Sequence, residues 1–539
     1  MPIPLQEFFT QRIMRGTFRH LSNWQIAKMA RQVARRAPET HGSPVAFFKA
    51  STGIDDLSWN SAFHLLASWG TRLQGVPVVF FACSSGMSRC VLGTNRNHPQ
   101  KPPPCRSCIH QSSTIYTGAD VHWFEFQPDL DLSAAIKLKG LDELSCFSWK
   151  GIPLGDLCLP GLRWILRRYH LEDDARTRFL LTEYILSAWN VAQQFEHFLD
   201  QTDPRSVITF NGQFFPEATA CWISRMRGIR TITHEVGLRS ASAFFTEGEA
   251  TAYPLHIPDE FDLDVAQNAR LDAYLGKRFQ GQFSMAGIKF WSQIKGLDDS
   301  FFKKARQFKQ IVPVFTNVIF DTSQPHANTI FPDMFNWLDQ VLEVIQKHPE
   351  TLFVIRAHPD EMRLRKESRE TVAEWVKINH VNSMPNVLFI PPNEPLSSYD
   401  LIQRSKFVMI YNSTIGLEAS ILGAAVLTAG RGRFTQVPTV FFPKTVESYR
   451  QKLEEFLSVE KIEVPAEFRR NSRRFLYYQI FFSSLPFDDF LIPGIRSTHT
   501  RLKSFDPSQL LPENSPTIAA ILKGVLASGD FLLAESAIR

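Results

Sequence analysis

Residues 352–430 decide the fold of this chain. They begin with 352-LFVIRAHPDE-361 and, after one further strand, end with 407-FVMIYNSTIGLEASILGAAVLTAG-430. Each apolar run has the length of one buried strand and leads into a polar loop, the pattern of a parallel sheet with connecting helices. Arg356, His358 and Pro359 follow the first strand, so a cation and an imidazole are predicted at its carboxyl end. A plain His-Pro turn is the simpler alternative.

A second polar junction follows the strand that ends near residue 411. Asn412, Ser413 and Thr414 precede a predicted helix, and Glu418 lies one turn inside it. Small hydroxyl residues at a helix start lie beside unpaired backbone N–H groups and the positive end of the helix dipole, which favours phosphate. The two junctions therefore predict a site for nucleotide phosphates, with positive charge supplied from the first. Simple helix capping by the hydroxyls is the alternative.

The alternation of strand and helix extends outward from this stretch on both sides. From residue 312 at least five strands alternate with helices, and residues 44–86 and 206–240 show two further βαβ patterns. We predict an α/β protein with two Rossmann-like, doubly wound domains that face a cleft. The predicted divisions are a basic helical segment (1–40), a first domain (41–300), a second domain (301–460), and C-terminal helices with a tail (461–539).

Length and composition agree with two folded domains. A chain of 539 residues exceeds one core, and an apolar fraction of 44% excludes a disordered protein. The net charge of +5 comes without a clustered basic stripe, which argues against nucleic acid as a partner. No apolar run has the length of a membrane span, and the N-terminus lacks a signal-peptide pattern. Seven cysteines in so long a chain are typical of a reducing compartment, so we expect a cytoplasmic protein.

The loop after the strand RTITHEV carries a second group of polar residues. Glu235, Gly237 and Arg239 lie in it, and Asn211 ends the neighbouring predicted strand. Ligands of open α/β sheets bind outside the carboxyl ends of the strands, so these residues are predicted to face the cleft. Glu235 could accept a proton from an attacking hydroxyl, with Gly237 leaving room for close approach. A salt bridge between Glu235 and a local arginine is the alternative.

Four cysteines lie close together in the first domain. Cys83 and Cys90 precede the pair Cys105 and Cys108, which has C-x2-C spacing. Four thiolates form a tetrahedral zinc site in many proteins, so structural zinc is one prediction. Buried inert thiols or a redox-active pair are the alternatives.

Basic segments lie at both ends of the chain. In residues 1–40, Ile26, Met29, Ala30 and Val33 share one helical face, with basic residues on the other. This helix is predicted to pack on the first domain or to lie on the anionic inner surface of the membrane. The segment FRRNSRRFLYYQIFF, within residues 465–485, predicts a long helix that crosses back to the first domain, with a basic patch for nucleic acid or a membrane as the alternative.

Taken together, the motifs resemble a known family. The order strand–His-Pro, then strand–NST-x3-E-A-x2-L-G-x-x-V, with the loop HEVGLRS before them, is similar to the capsule polysaccharide biosynthesis proteins. These are GT-B type glycosyltransferases related to Kdo- and sialic-acid-transferring enzymes. The resemblance is most specific over residues 310–435. It implies a GT-B-like fold whose C-terminal helix returns to the first domain.

The resemblance also implies roles for the candidate residues. His358 and Pro359 match the family's contacts to the donor phosphate, and Glu235 matches its general base. Ser413 and Thr414 match the family's second phosphate-binding element. Glu418 resembles the group that holds the nucleotide or its ribose. The implied reaction moves a sugar from a CMP-, UDP- or GDP-linked donor to a growing surface or capsular polysaccharide or a glycolipid. It needs no cofactor, and because no Asp-x-Asp pair ends a suitable strand, no metal is expected.

Three other functions share these sequence features. A sugar-nucleotide epimerase of the same fold would act on the donor alone. A polyol-phosphate transferase would use a CDP-linked donor. A non-catalytic protein of polysaccharide assembly would keep the fold without turnover.

Overall fold

The computed structural model describes residues 5–50, 53–54, 56–280, 295–363, 366–494 and 496–538, with side chains from residue 19 onward. The strands, in chain order, are β1 (Val45–Lys49), β2 (Val78–Cys83), β3 (Asp120–Phe124), β4 (Ser206–Phe210), β5 (Arg230–Val236), β6 (Ser242–Glu247), β7 (Gln310–Phe315), β8 (Thr351–Arg356), β9 (Val387–Ile390), β10 (Val408–Ile410), β11 (Val426–Thr428), β12 (Leu485–Pro486), β13 (Leu491–Pro493) and β14 (Thr500–Leu502).

The α-helices, in the same order, are α1 (Leu5–Arg36), α2 (Trp59–Leu73), α3 (Cys105–Ile115), α4 (Leu130–Ile136), α5 (Leu141–Ser145), α6 (Leu154–Leu166), α7 (Ala175–Thr202), α8 (Phe215–Met226), α9 (Val265–Phe279), α10 (Asp299–Ala305), α11 (Gln324–Ala327), α12 (Met334–Lys347), α13 (Val372–Ile378), α14 (Ser398–Gln403), α15 (Ile415–Ile421), α16 (Val446–Ser458), α17 (Ala466–Tyr477) and α18 (Pro516–Ala527). None of these helices is both long and apolar enough to span a membrane.

The first sheet has the strand order β12-β6-β5-β4-β1-β2-β3. Strands β1 to β5 run parallel, and β6 and β12 add antiparallel pairings at one edge. Both faces are buried: Phe47 packs with the helix α2 on one side, and Phe48 packs with α7 on the other. Burial on both faces explains why the strand VAFFK is apolar throughout rather than alternating.

The second sheet is fully parallel, with the order β11-β10-β7-β8-β9. Alternate residues of β8 again face opposite sides, with Phe353 in the core beneath α12 and Val354 in the core shared with α15. In each sheet the chain order reverses next to the first strand, between β1 and β4 and between β7 and β10. Such switch points open a crevice at the carboxyl ends of the strands, where ligands bind.

The C-terminal part of the chain connects the two sheets. Helix α17 packs against α15 of the second domain and continues through a π-helical turn, Tyr478–Phe482, to β12. There Leu485 pairs with Ala243 of β6 at the edge of the first sheet. These features confirm the predicted fold class, two Rossmann-like domains in a GT-B-like arrangement with a C-terminal helix that returns to the first domain.

The segment between β8 and α13 begins with a 3-10 turn, Pro359–Met362, and the N–H of Ser368 donates to the carbonyl of Glu361. Residues 281–294, next to the predicted boundary at 300, lie outside the described ranges.

The N-terminal helix packs on the first domain along one face. Ile26, Met29, Ala30 and Val33 are at most 3% exposed and belong to the core that also contains α2. For this face of α1, the prediction that the helix packs on the first domain is therefore confirmed. Trp24 and Leu21 are exposed on the same helix, and contact with a membrane surface stays a prediction.

Candidate active site

A cavity of about 780 Å³ lies between the two domains, at the carboxyl ends of both sheets. Its volume suits a nucleotide sugar, since ligand pockets typically measure roughly 300–1,000 Å³. Of the residues predicted from the sequence, those that line it are Asn211, Glu235, Gly237, His358, Asn412, Ser413 and Thr414. The predicted residues of the first domain and those of the second domain therefore line the same cavity.

Glu235 is the carboxylate of the first-domain wall. It ends β5 and is partly buried. Its Oε2 accepts a hydrogen bond from Nδ2 of Asn211 at 2.6 Å, and its Oε1 accepts the N–H of Val236 at 2.8 Å. Burial raises the pKa of Glu235 above its usual range, while these two hydrogen bonds act in the opposite direction. A carboxylate with a raised pKa, held in one orientation, has the properties of a general base.

Asn211 holds this carboxylate from the switch point of the first sheet. It directly follows β4, is 2% exposed and has a φ of 61°, a left-handed conformation that asparagine tolerates better than most residues. Its Nδ2 also lies 3.3 Å from the hydroxyl of Thr322 in the second domain. Asn211 thus positions Glu235 and touches the opposing domain.

Two further charged residues of the first domain line the cavity beside Glu235. Lys49 ends β1 and is 4% exposed, and Glu217 lies at the start of α8 and is 5% exposed. Burial raises the pKa of Glu217 to about 7, against the effect of Lys49. Burial also lowers the pKa of Lys49, against the effects of Glu217 and Glu235. The floor of the first domain therefore holds a second titratable carboxyl and an ammonium group.

The second domain contributes the two hydroxyl groups that were predicted to bind phosphate. Ser413 and Thr414 lie between β10 and α15, and their hydroxyls have no hydrogen-bond partner among the described residues. Asn412 accepts a hydrogen bond from Nδ2 of Asn317 at 2.7 Å, which joins the loops after β10 and β7 at the switch point. Helix α15 has only 7 residues, so the predicted phosphate site would depend mainly on the side chains and N–H groups of its first turn.

His358 and a pair of arginines supply donors near these hydroxyls. Nδ1 of His358 accepts the N–H of Asp360 at 3.2 Å, which places the ring proton of the neutral imidazole on Nε2. Burial lowers the pKa of His358, against the carboxylates of Asp360 and Asp321. Arg431 and Arg433 line the same cavity just after β11. A neutral N–H donor and two guanidinium groups are suited to a leaving phosphate.

Two residues predicted to bind the donor point elsewhere. Arg356 does not line the cavity, because its Nη1 donates to the carbonyl of Leu396 inside the second domain. Glu418 is 3% exposed and accepts hydrogen bonds from Nε of Arg278 at 2.8 Å and from the hydroxyl of Tyr399. Its carboxylate joins α15 to α9 and does not reach the cavity. Glu418 does lie one turn inside α15, as the sequence predicted, but no local pattern indicated its buried partner Arg278.

Three smaller predictions also change. Pro359 opens the 3-10 turn and does not line the cavity. Arg239 lies outside it too, and its carbonyl accepts the Ser242 hydroxyl at 2.7 Å. Gly237 does line it, but a Cβ there would lie 2.3 Å from Oγ of Ser242. The close approach of Ser242 therefore already requires a glycine at this position.

The predicted zinc site is not formed among the described residues. Cys83, Cys90, Cys105 and Cys108 all line a second, small cavity of about 20 Å³. No three metal-ligating side chains in the described part of the chain lie close enough together to hold an ion. Burial raises the pKa of Cys90 to about 12 and raises that of Cys83 as well. For Cys83 and Cys90, these raised pKa values agree with the alternative of inert thiols.

Sequence reasoning missed several lining residues for an identifiable reason. Lys49 ends β1 and Glu217 lies at the start of α8, both within predicted βαβ patterns, so their positions carried a signal that the sequence analysis did not use. The sequence Gly430-Arg431-Gly432-Arg433 likewise follows a predicted strand. Residues 496–499 join the cavity from the C-terminal part of the chain, and no local pattern points to them.

Comparison with known sequences supports the predicted resemblance over one part of the chain. Residues 286–438 match the family described as "Capsule polysaccharide biosynthesis protein". This stretch holds His358 and the segment 412–414, and the resemblance predicted from these motifs is confirmed here. "Protein FixF" of Sinorhizobium fredii is 34% identical over 98 residues, which make up 18% of this chain and 21% of that protein. The match thus spans about a fifth of the relative's length.

Solved structures with a similar arrangement include transferases and epimerases. The beta Kdo 2,4 transferase of Thermosulfurimonas dismutans KpsC is 11% identical, with a TM-score of 0.33, and the match covers 52% of this chain and 80% of that one. The UDP-GlcNAc 2-epimerase from Neisseria meningitidis, bound to UDP-GlcNAc, is 16% identical with a TM-score of 0.24, covering 54% and 80%. Values this low do not distinguish the two activities.

Proposed function

We propose that this protein is a glycosyltransferase that moves a sugar from a nucleotide-sugar donor to a saccharide or glycolipid acceptor in the synthesis of a surface or capsular polysaccharide. The observation that carries the proposal is the position of Glu235. This carboxylate lies on one wall of the cavity, and His358, Ser413 and Thr414 lie among the residues of the other. Glycosyl transfer needs a base for the acceptor and donors for the leaving phosphate, and the two walls divide these tasks.

In the proposed reaction, Glu235 accepts the proton of the acceptor hydroxyl as that oxygen attacks the sugar. The bond between the sugar and the donor phosphate breaks, and the phosphate leaves with its electron pair. Nε2–H of His358 and the hydroxyls of Ser413 and Thr414 donate hydrogen bonds to the departing oxygens, and Arg431 and Arg433 balance the charge that develops. These groups act without a metal ion. The expected cellular setting is the cytoplasm, with contact to the inner membrane surface through α1.

The first test is donor binding by calorimetry with CMP-, UDP-, GDP- and CDP-linked sugars or polyols. A hydrogen bond to a charged group contributes roughly 1.5–3 kcal/mol, so His358→Ala and Ser413→Ala should each weaken binding by about 10- to 100-fold. His197→Ala and Ser458→Ala are matched controls, since both residues are exposed on helices outside the cavity. Absence of binding by every donor, or unchanged affinity in both cavity variants, would contradict the proposal.

Product analysis separates the transferase from the alternatives. With donor alone, a transferase should release free nucleotide slowly and leave the sugar configuration unchanged. An epimerised nucleotide sugar would identify an epimerase, and a transferred polyol phosphate would identify the CDP-dependent reaction. Binding without turnover under any condition would favour a non-catalytic assembly protein.

A further inference from the structure

Six cations from both domains form a continuous group that starts at the cavity and extends beyond it. The group, called here the cationic track, consists of Arg96, Arg167, Arg176, Arg363, Lys366 and Arg369. The first three belong to the first domain, and the last three to the segment between β8 and α13. Arg363 and Lys366 line the cavity, whereas the other four lie outside it. Arg369 is exposed, so the track connects the cleft with the surface.

Arg167 is the buried centre of the track. It is 3% exposed, and its guanidinium carbon lies 4.0 Å from the ring centre of Trp164 and 5.1 Å from that of Phe320. Both rings line the cavity. The buried nitrogens Nε and Nη1 of Arg167 have no hydrogen-bond partner among the described residues. A buried guanidinium with unsatisfied donors is costly, and negative charge held beside the covering rings of Trp164 and Phe320 would lower this cost.

Arg176, in the outer part of the track, also has buried nitrogens, Nε and Nη2, without hydrogen-bond partners in the described part of the chain. The N–H of Arg369 donates to the carbonyl of Arg167 at 2.9 Å, and its Nη2 donates to Oδ1 of Asn97 at 3.3 Å. These contacts hold the cations of the second domain against those of the first.

The cations lie close enough to repel one another. Burial lowers the pKa of Arg96, with a further decrease from Arg369 and Arg176. Burial and the neighbouring Arg363 likewise lower the pKa of Lys366. Carboxylates are also present beside the track, at Asp174, Asp321, Asp360 and Glu367. The Arg363–Asp360 pair is long, at 3.8 Å. Six cations beside four carboxylates leave an excess of positive charge, which an anionic ligand would neutralise.

We propose that the cationic track binds the carboxylate or phosphate groups of an acidic oligosaccharide, so that the acceptor of this protein is an anionic glycan chain. This inference rests on the proposed function for the identity of the chain as acceptor. The donor phosphate is a second source of negative charge in the same cleft. One or two phosphates suffice for the part of the track inside the cavity, but four of the six cations lie outside it. A chain with repeated negative groups, entering from the surface, matches this distribution.

The test compares an acidic and a neutral oligosaccharide of equal length. Binding of a fluorescently labelled hexagalacturonate and of labelled maltohexaose is measured by anisotropy at low and moderate salt. The wild-type protein should bind only the acidic chain, and binding should weaken as salt screens the charges. Arg176→Gln with Arg369→Gln, and separately Arg167→Gln, should weaken it by about tenfold or more. Arg306→Gln is the matched control, since Arg306 is exposed and outside the track.

Folding and donor binding are measured on the same variants. The double variant changes residues near the surface and keeps the test valid if Arg167→Gln fails to fold. No binding of hexagalacturonate by the wild type, equal binding of maltohexaose, or unchanged affinity in the double variant would overturn the inference. An equal loss of nucleotide affinity would also overturn it, because the track would then belong to the donor. If no nucleotide binds while track-dependent glycan binding persists, the proposed transferase fails but the anion site stands.

Discussion

Substitutions in the buried ion pair of Glu418 and Arg278 can show whether Glu418 has a structural role or binds the nucleotide. The side chains are 4% and 9% exposed, and the shortest contact, from Nη2 of Arg278 to Oε1 of Glu418, is 2.6 Å. Glu418→Leu leaves a buried guanidinium without its carboxylate, and Arg278→Met leaves the carboxylate without its guanidinium. Breaking such a pair from one side costs about 3–5 kcal/mol, whereas replacing both members by apolar residues is often close to neutral. The two changes should therefore be strongly non-additive.

The assay is hydrogen–deuterium exchange of residues 411–425, read as the free energy of local opening, together with nucleotide affinity. Each single variant should lower the opening free energy of α15 by about 3–5 kcal/mol, and the double variant should recover most of it. Nucleotide affinity should follow the same order, because Glu418 supports the loop at residues 412–414 from behind. If the double variant is destabilised by the sum of the single effects, the pair is not the source of stability. If nucleotide binding stays lost while α15 is restored, Glu418 contacts the ribose after all.

Three further predictions concern pH and packing. Asn211→Gly keeps the left-handed backbone but removes a hydrogen bond that favours the Glu235 carboxylate, so the acid limb of the pH–rate profile should move up by about 1–2 pH units; an unmoved limb would contradict this. The ring of His170 donates hydrogen bonds to the carboxylates of Asp333 and Glu370, which raise its pKa to about 10, so its contribution to domain contact should be complete below pH about 6.5 and disappear as pH rises towards 10. The difference in melting temperature between wild type and His170→Gln should shrink accordingly, and a constant difference would refute it. Gly416→Ala places a Cβ 2.2 Å from Cδ1 of Ile410 and should destabilise the second domain by about 1–3 kcal/mol in urea unfolding, where no change would show that the core adapts.

The fold was predictable because apolar runs of strand length alternate with amphipathic helices along most of the chain. Strands such as VAFFK and TLFVIR are apolar at almost every position, which indicates that both faces of each sheet are buried. The positions of Glu235 and of residues 412–414 followed from the rule that polar residues after parallel strands meet at one edge. The side-chain directions of Arg356 and Glu418 did not follow, because each depends on a partner far away in sequence: Leu396 for the first, Arg278 for the second.

The same reason explains why the sequence did not indicate the cationic track. The cationic track joins residues of two domains that are separated by more than 180 positions, and no local pattern connects Arg167 with Lys366. For the four cysteines, spacing alone left structural zinc, inert thiols and a redox-active pair open, and no group of three metal-ligating side chains forms among the described residues. Spacing predicts which residues share an element, whereas tertiary packing decides which side chains meet.

The most direct measurement of the central claim is the turnover of Glu235→Gln with the donor that binds best. The substitution keeps the size of the side chain and an acceptor oxygen for Asn211 while removing the base. The rate of nucleotide release should fall by about 10²- to 10⁴-fold with donor affinity unchanged. Glu172→Gln should behave as the wild type, since Glu172 is exposed and outside the cavity. A variant that retains the wild-type rate, or one that loses donor binding in proportion to its rate, would contradict the assignment of Glu235 as the general base.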